Sequence, residues 1–463
     1  MTSSTDSALM DGIDAAPLKP RYWATLTLIV LQLICEIFDF FVVGYLVSAV
    51  APLWRLTFGE TTIILLSAGL GAIFGALGLG WVADRLGRKT VVVASGVMCA
   101  LCASAIALVP DGAWLAFAAL RFLVGFGYGG AGASQFALVV EYTPLPRRTL
   151  IASGLGIPAG LGLLLASVVV SSLFPVLGWR GTAALGIVPI VFALALAFVA
   201  PESARWLLAK KRPDQARRAA ASMSKLDVET LAAMESSAAG TSSAPKAHAA
   251  SSPLALLSNP RRFWLIVLVQ LGIGSTLTGV LLWGPTILAQ LLRITPAQAA
   301  GDFVAVSLVG LAGRVVFALA PTRFGRVRSG QVVGFGGAVM LALAALFHAS
   351  QFAAIPLFFL FLLLGQFFVD GGTANANTYG AELYPVRLAA QGAGLSAAAG
   401  GGGKLIGPLV LGLIAGTGNL VSPHATERAV EPAFLFLSAC CLVVGLAYTF
   451  LGIETHGRAL ALD

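Results

Sequence analysis

Residues 80–89 read Gly80-Trp-Val-Ala-Asp84-Arg85-Leu-Gly87-Arg88-Lys89 and lie between two long apolar runs, 61–83 and 91–109. The four charged side chains are too polar for hydrocarbon, so we expect this loop at a membrane surface. Gly80 should let two helix ends approach closely, and Gly87 should permit a turn with positive φ. The loop therefore predicts that the apolar runs on either side cross a membrane.

The same pattern returns, in degenerate form, in the second half of the chain. Arg323-Phe-Gly325-Arg326 repeats Arg85-Leu-Gly87-Arg88. Glu382-Leu-Tyr-Pro385 repeats Glu141-Tyr-Thr-Pro144 at nearly the same offset. Two independent repeats at nearly the same offset indicate two copies of one unit arranged in parallel.

Composition supports a membrane protein rather than a set of soluble domains. Of the 463 residues, 58% are hydrophobic and only 11% are charged. The mean hydropathy is +0.89. A span needs about 20 mostly apolar residues. Runs of that kind occur near 22–50, 61–83, 91–109, 113–141, 150–174, 181–200, 263–290, 302–320, 331–350, 353–379, 388–416 and 432–452.

The polar stretch between the sixth and seventh runs divides the chain into two halves. We predict an N-terminal segment 1–21, a six-helix half 22–200, a central loop 201–261, a second six-helix half 262–452 and a tail 453–463. The run from Trp23 is too long for a cleaved signal, so we interpret it as a retained first span. The Ser/Ala-rich residues 236–252 have the composition of a flexible linker.

The distribution of Lys and Arg predicts the orientation. The loops on the side of the central segment carry most of the basic residues, whereas the opposite loops carry only Arg55, Arg180, Arg293 and Arg428. Basic loops remain in the cytoplasm, so we expect both termini and the central loop to be cytoplasmic in an inner membrane. The formal net charge of +8 is then a topology signal, and we expect no nucleic-acid partner.

Cysteine and histidine patterns give no sign of a disulfide framework or a metal site. All five cysteines lie in apolar runs, and Cys99-x-x-Cys102 sits within a span without polar neighbours. The four histidines lack the spacing of metal ligands. We expect no metal and no cofactor.

The loop at residues 80–89 closely resembles the signature loop of the major facilitator superfamily. Arg121-x-x-x-Gly125-x-Gly127 resembles the second motif of that family, Pro201-Glu-Ser-Ala-Arg205-Trp-Leu resembles the sugar-porter motif, and Glu454-Thr-His-Gly457-Arg458 resembles its C-terminal motif. The resemblance implies an all-α membrane protein with twelve transmembrane helices in two six-helix halves. It also implies secondary active transport by alternating access, with the lipid bilayer as environment.

Further motifs are most similar to the aromatic acid:proton symporter branch, which lies near the sugar porters and the organic-ion transporters. They are Gly178-Trp-Arg180, Leu282-Trp-Gly-Pro285, Ala381-Glu-Leu-Tyr-Pro385 and Asp39. This branch implies symport of protons with a small organic, typically aromatic, carboxylate. We expect the protein to act as a monomer.

The chain departs from the family pattern at four positions. Ala318 and Thr322 replace the Gly and Asp of the second-half loop, which predicts a weaker cytoplasmic latch there. Lys404 stands where related sequences usually have Arg, and Asp370 stands where an amide or a small polar residue is common. The last two positions alter the expected cavity.

An ionisable side chain within a span costs on the order of 3 kcal/mol, so each one needs an explanation. Glu36 and Asp39 lie three residues apart in span 1, on one face of the helix. Two carboxylates so close in a low dielectric favour protonation of at least one, as a proton-coupling site requires. The resemblance implies the same role for Asp39. The alternative is a structural pairing with a basic residue.

Two cations are candidates for contact with an anionic substrate. Arg121 in span 4 must find a carboxylate or a carbonyl, either as a switchable partner of Asp39 or as a permanent tie. Lys404 follows Gly400–Gly403 in span 11, where glycine-rich backbone suits a cavity lining. The alternative for Lys404 is an ion pair with Asp370. Arg314 in span 8 suits a structural tie as well as a ligand contact.

The remaining candidates orient a ligand or control access. Gln270, Asn375 and Asn377 could hydrogen-bond a substrate, and Tyr45, Trp283 and Tyr379 could stack on a ring. For gating on the cytoplasmic side we select Gly80, Asp84, Arg85, Gly87, Arg88, Glu141, Arg147, Arg323, Arg326, Glu382 and Arg387. Each polar or aromatic candidate could instead serve packing.

Four other functions compete with a carboxylate symporter. A sugar or polyol symporter would favour Gln, Asn and Trp without a net cation, and a drug or metabolite exporter would use the same scaffold in the other direction. A membrane enzyme would need a nucleophile, a histidine cluster or a metal site, and none is visible, so we expect no enzyme. A transporter-like sensor would bind a ligand without moving it.

Overall fold

The structure is a computed structural model that describes residues 14, 16–238, 253–353, 355–377 and 379–455. The long helices of the first half are numbered α1 to α6. Their bounds are α1 Pro20–Leu53, α2 Phe58–Leu86, α3 Arg88–Ala105, α4 Trp114–Tyr142, α5 Ile157–Ala184 and α6 Pro189–Val199. A shorter helix, Leu145–Gly154, precedes α5, and the central segment holds helices Ala204–Ala209, Pro213–Met223 and Val228–Ala238.

The second half contains six further long helices. Their bounds are α7 Pro260–Thr278, α8 Pro296–Leu319, α9 Arg326–Leu346, α10 Leu357–Asn377, α11 Val386–Ala415 and α12 Pro423–Leu451. A π-helical turn, Gly279–Trp283, extends α7 into the helix Gly284–Leu292. Short helices at Pro321–Phe324 and Tyr379–Glu382 follow α8 and α10, and strands β1 (Gln351–Phe352) and β2 (Ile355–Pro356) form a small antiparallel hairpin.

In the described residues, eleven helical segments are long and apolar enough to cross a membrane. One of them, Ile157–Val199, has 43 residues and would be about 65 Å long as a straight helix, roughly twice the thickness of the hydrocarbon core. The helix is broken at Gly178, whose φ of 64° and ψ of −174° are not helical. This break separates the fifth span from the sixth, so the twelve predicted spans agree with the structure.

Helix packing repeats between the halves with an offset of six helices. In the first half α2 packs on α4, α1 on α5, and α3 on both α4 and α6. In the second half α8 packs on α10, α7 on α11, and α9 on both α10 and α12. The parallel repeat predicted from the two loop motifs is therefore confirmed.

Glycines allow α2 and α4 to pack at backbone distance. A Cβ added at Gly125 or Gly129 would lie 1.9 Å or 2.0 Å from the carbonyl oxygen of Ala68 or Ala72. Such small-residue contacts are typical of membrane helices. Gly80 does not take part, because a Cβ placed there would meet no atom within 4 Å. The predicted close approach at Gly80 is therefore wrong for this structure.

The start of the chain is tied to the central segment. The backbone N–H of Lys19 donates to Met223 at 2.9 Å, and that of Lys225 donates to Pro17 at 2.8 Å. The Nζ of Lys19 also donates to the carbonyl of Ala221 at 2.6 Å. The linker was predicted for residues 236–252, but residues 236–238 belong to the helix Val228–Ala238, so the prediction is wrong there. The rest of the linker, 239–252, and the C-terminal residues His456 to Arg458 lie outside the described residues.

The two halves are joined at the face of the bundle opposite the central segment, here called the distal face. The N–H groups of Phe58 and Gly59 donate to Asn419 and Thr417 at 2.8 Å and 3.0 Å, and the N–H of Val421 donates to Leu56 at 3.0 Å. Deeper in the bundle, the hydroxyls of Ser167 and Ser307 lie 3.2 Å apart. Among the described residues these are the hydrogen bonds that cross between the halves, so the structure is closed at the distal face.

Candidate functional site

Glu36 and Asp39 both lie inside the first half and face α4. Each is only 2% exposed. The carboxylate of Glu36 accepts hydrogen bonds from the side-chain amides of Gln32 at 2.9 Å and of Gln135 at 3.0 Å. Within the part of the chain that the structure describes, Glu36 has no cationic partner within 4 Å. The predicted proximity of the two carboxylates on one helix face agrees with this arrangement.

Asp39 is buried with one carboxyl oxygen unsatisfied. Its Oδ2 has no hydrogen-bond partner, although the Arg121 guanidinium is near enough to interact with its charge. A buried carboxylate without hydrogen bonds is costly as an anion. The local arrangement therefore suits a carboxyl group that carries a proton in this state.

Arg121 is fully buried and bound to the backbone of α1. Its guanidinium donates to the carbonyl oxygens of Asp39 at 2.6 Å and of Phe40 at 3.0 Å. Its exposed fraction is 0%. In this state Arg121 ties α4 to α1. It forms no direct ion pair with the Asp39 carboxylate, and it is not exposed to a ligand.

In the second half, Asp370 is paired with Arg314, for which the sequence left a structural tie and a ligand contact open. The Nε and a terminal nitrogen of Arg314 lie 2.8 Å and 2.7 Å from Oδ1 of Asp370. The amide of Gln366 donates to Oδ2 at 2.8 Å. The Lys404–Asp370 ion pair left open by the sequence is not formed, because Arg314 on α8 occupies the carboxylate.

Lys404 lies on α11, half-buried and close enough to Arg314 for the two positive charges to repel each other. Among the described residues no carboxylate lies within 4 Å of its ammonium group. Arg314 also reaches the first half, since a Cβ added at Gly160 of α5 would lie 3.7 Å from its Cδ. The two cations therefore form a positive cluster near the contact between the halves.

Of the predicted ligand-orienting residues, three stabilise the second half itself. The amide of Asn375 donates to the hydroxyl of Tyr448 at 3.1 Å, and the hydroxyl of Tyr379 donates to the carbonyl of Ile453 at 2.6 Å. The amide of Gln270 donates to the carbonyl of Ala376 at 3.2 Å. Asn377 is exposed at the end of α10. In this state Asn375 and Tyr379 lie with the scaffold near the central segment and away from the Lys404 cluster.

Tyr45 and Trp283 belong to the distal closure. The ring of Tyr45 packs edge-on against Phe303 of the other half at 6.0 Å, and that of Trp283 packs against Phe58 at 5.5 Å. Both side chains are 1% exposed. Their predicted stacking on a substrate ring is therefore not available while the distal face is closed.

The gating candidates of the first half form a network around the start of α3. Arg88 is ion-paired with Glu141, and Glu141 accepts a hydrogen bond from Ser203. The carboxylate of Glu202 accepts from the backbone N–H groups of Arg88 and Lys89 at 2.8 Å and 3.0 Å. Gly87 has a φ of 106°, as predicted from the turn.

The second half repeats this network at the start of α9. Arg326 pairs with Glu382 at 2.6 Å, and Glu454 accepts from the backbone N–H groups of Arg326 and Val327 at 2.8 Å and 3.2 Å. Glu202 and Glu454 were missed as site residues. The available signal was a glutamate that follows the last span of each half.

The other gating candidates make few contacts with each other. The carbonyl of Asp84 accepts from the indole of Trp206 at 3.0 Å, and the guanidinium of Arg85 lies 3.5 Å above the ring centre of Trp81. Arg147 and Arg323 are exposed. Arg387 lies in the first turn of α11. The described residues contain no group of three potential metal ligands.

Comparison with known proteins gives a consistent result. The family model described as Major Facilitator Superfamily matches residues 29–408. The niacin transporter NiaP of Acinetobacter baylyi is 26% identical over 98% of both chains. A gallate transporter of Pseudomonas putida is 27% identical over 98% of this chain and 93% of its own. The 4-hydroxybenzoate transporter PcaK of Pseudomonas aeruginosa is 34% identical over 43% of this chain and 44% of its own.

Solved structures agree in fold. The inward-open xylose transporter XylE of E. coli has a TM-score of 0.70 and 16% identity over 95% of this chain and 98% of its own. A bacterial homologue of the human lysosomal transporter Spinster has a TM-score of 0.71 and 13% identity over 94% of this chain and 97% of its own. Both likenesses support the two-half helical fold.

Proposed function

This chain belongs to the Major Facilitator Superfamily, and we propose that it is a proton-coupled symporter of a small aromatic carboxylate. It is related to transporters of niacin, gallate and 4-hydroxybenzoate, three aromatic acids. The observation that carries the proposal is the division of charge between the halves. Among the described residues of the first half, the two most deeply buried carboxylates, Glu36 and Asp39, outnumber the one buried arginine, Arg121. Among those of the second half, two cations, Arg314 and Lys404, outnumber the one buried carboxylate, Asp370.

Asp39 is the proposed proton carrier. Its unsatisfied Oδ2 and its burial favour a protonated carboxyl in the distally closed state. Loss of that proton would create a charge next to Arg121, which could then turn from the backbone carbonyls toward the carboxylate. Such a change alters the tie between α1 and α4 and would favour a different arrangement of the halves. Glu36, held by two amides, is proposed as a second group on the same proton path.

The substrate carboxylate is proposed to bind at Lys404. Its ammonium has no carboxylate partner in the described chain, so a ligand anion would compensate a half-buried charge. A sugar would leave that cation uncompensated, which favours the carboxylate over a sugar or polyol. The proposed direction is import across the inner membrane. Both termini are proposed to be cytoplasmic, and the protein is proposed to act as a monomer.

Transport in proteoliposomes tests the proposal. The wild-type protein should accumulate radiolabelled nicotinate or benzoate when an inward proton gradient is imposed, and it should also catalyse counterflow without a gradient. Asp39→Asn should abolish gradient-driven accumulation and retain counterflow, because the amide keeps the shape of the protonated acid. Accumulation equal to that of wild type in this variant would contradict the role of Asp39.

Charge recognition is tested with neutral analogues in the same preparation. Nicotinamide and benzamide should bind at least about tenfold more weakly than nicotinate and benzoate, which corresponds to about 1.4 kcal/mol. Lys404→Gln should lose most of this difference. Equal affinity for acid and amide in the wild type would contradict a carboxylate substrate.

A further inference from the structure

We propose that Asp370 determines the charge of the substrate, because it neutralises one of two adjacent cations and leaves a site that accepts one negative charge. This inference rests on the proposed carboxylate transport. It concerns the triad of Arg314, Asp370 and Lys404, which lies on three different helices of the second half.

Neighbouring side chains hold the carboxylate of Asp370 at both of its oxygens. It is 1% exposed, and both carboxyl oxygens are engaged, Oδ1 by Arg314 at 2.7 Å and Oδ2 by Gln366 at 2.8 Å. Residue 310 of α8 is a glycine, and a Cβ added there would lie 2.2 Å from Oδ2 of Asp370. Gly310 therefore makes room for the carboxylate against α8, and the pair is built into the contact between α8 and α10.

Arg314 remains accessible although it is paired. Its side chain is 18% exposed, whereas that of Asp370 is 1% exposed. It lies beside Gly160 of the first half, at the contact between the halves. A ligand carboxylate could therefore approach the outer side of the guanidinium, which has donors to spare beyond the two used by Asp370.

The charges of the triad define what fits. Arg314 and Lys404 contribute two positive charges and Asp370 one negative charge, so one positive charge remains. A monocarboxylate neutralises the site, whereas a dicarboxylate leaves a negative charge uncompensated in a poorly hydrated place. An uncompensated buried charge is strongly unfavourable, and specificity against such ligands arises from that penalty.

The triad predicts that removal of the acidic charge changes the preferred ligand. Two matched pairs of probes differ by one carboxylate on the same ring: benzoate with phthalate, and nicotinate with quinolinate. Their dissociation constants are measured at neutral pH on the purified protein in detergent. In Asp370→Asn the ratio of dicarboxylate to monocarboxylate affinity should rise at least about tenfold above the wild-type ratio, because the site then carries two positive charges.

A second substitution should reverse that effect. The double variant Asp370→Asn with Arg314→Gln carries one positive charge again and should return to the wild-type preference for a monocarboxylate. A purely structural role for the pair would not restore the preference when both partners are replaced. Arg314→Gln alone leaves no net charge and should lose at least about tenfold in benzoate or nicotinate affinity with little change for the neutral amides.

The control is Asp302→Asn, which makes the same change of charge on α8, the helix that carries Arg314. Asp302 lies 12 residues before Arg314, about 18 Å along α8, so the ligand preference should not change. If the wild type binds a monocarboxylate but Asp370→Asn keeps the wild-type ratio, the proposal on Asp370 is overturned and the transport proposal stands. If the wild type binds no monocarboxylate from the panel, both fail. Should Asp370→Asn not fold, Arg314→Gln decides the question: an unchanged affinity for benzoate and nicotinate in that variant overturns the proposal.

Discussion

Arg121 shows how the partner of a buried cation determines its role. It cannot lose its proton, so in hydrocarbon it must be compensated locally. Here two carbonyl oxygens of α1 accept its hydrogen bonds, and its surface is fully enclosed. A residue in this position joins two helices and interacts with the charge of Asp39, but it does not contact a ligand in the distally closed state.

This role predicts a loss of stability without a change of selectivity. Arg121→Gln removes both charged hydrogen bonds to α1, and an amide can replace them only with weaker neutral ones. The free energy of unfolding should fall by about 1–3 kcal/mol, visible as a lower apparent Tm. Arg121→Lys should be intermediate. The affinity ratio of nicotinate to nicotinamide should stay at the wild-type value. The exposed Arg428→Gln serves as control and should leave the Tm unchanged.

An altered acid-to-amide ratio in Arg121→Gln would contradict the structural role. It would return Arg121 to the ligand site that the sequence suggested.

The sequence predicted some of these residues because their positions depend on one helix. Glu36 and Asp39 share a face because of the helical period of α1, and two carboxylates in a low dielectric are candidates for proton binding whatever their other neighbours. The partner of Arg314 could not be predicted from the period of its own helix. Whether it meets Asp370, Lys404 or solvent depends on how α8, α10 and α11 rotate against each other, and no local pattern fixes those rotations.

At the scale of elements, the internal repeat carried more information than any single motif. Arg88 and Arg326 occupy equivalent positions. Arg88 is paired with Glu141 at the end of α4, and Arg326 is paired with Glu382 in the short helix after α10. Glu202 and Glu454 each bind the N-terminal N–H groups of the helix that begins at the repeated Gly-Arg. A carboxylate at a helix N-terminus compensates orphan donors and the helix dipole.

These capping contacts were not predictable from spacing alone. Glu202 lies far along the chain from Arg88, and its contact exists because α6 returns to the same face as the start of α3. The break at Gly178 is a second example, since α5 and α6 form one apolar helical segment except at this residue. Hydropathy located the apolar residues of the fifth and sixth spans, but the boundary between the two helices depends on the backbone conformation of Gly178.

At the scale of the whole molecule, the basic loops predict the orientation in the membrane. The central segment carries the exposed Lys210, and the distal loop before α12 carries the exposed Gly418. In cells that produce a variant without the five native cysteines, a membrane-impermeant maleimide should label Gly418→Cys and not Lys210→Cys. Permeabilised cells provide the control, in which both should react. The opposite pattern in intact cells would invert the proposed topology.

The contact between the halves predicts how the conformational equilibrium can be shifted. At the distal face α1 packs against the π-helical turn after α7, and a Cβ at Gly44 would lie 2.8 Å from the carbonyl oxygen of Leu282 and 3.0 Å from that of Leu281. Both neighbours are backbone atoms and cannot rotate away. Gly44→Val should therefore destabilise the distally closed state, at a cost of about 1–3 kcal/mol.

A cost of that size changes the ratio of two conformations by about 5- to 150-fold, because only the closed state contains the clash. Spin labels at the exposed Leu108 and Arg428, in opposite halves of the distal face, should show a larger population of long distances in Gly44→Val. Gly132→Val is the matched control, since a Cβ there meets no atom within 4 Å. Equal distance distributions in the two variants would mean that Gly44 does not limit closure, and the backbone hydrogen bonds of Phe58, Gly59 and Val421 would then have to hold the halves together.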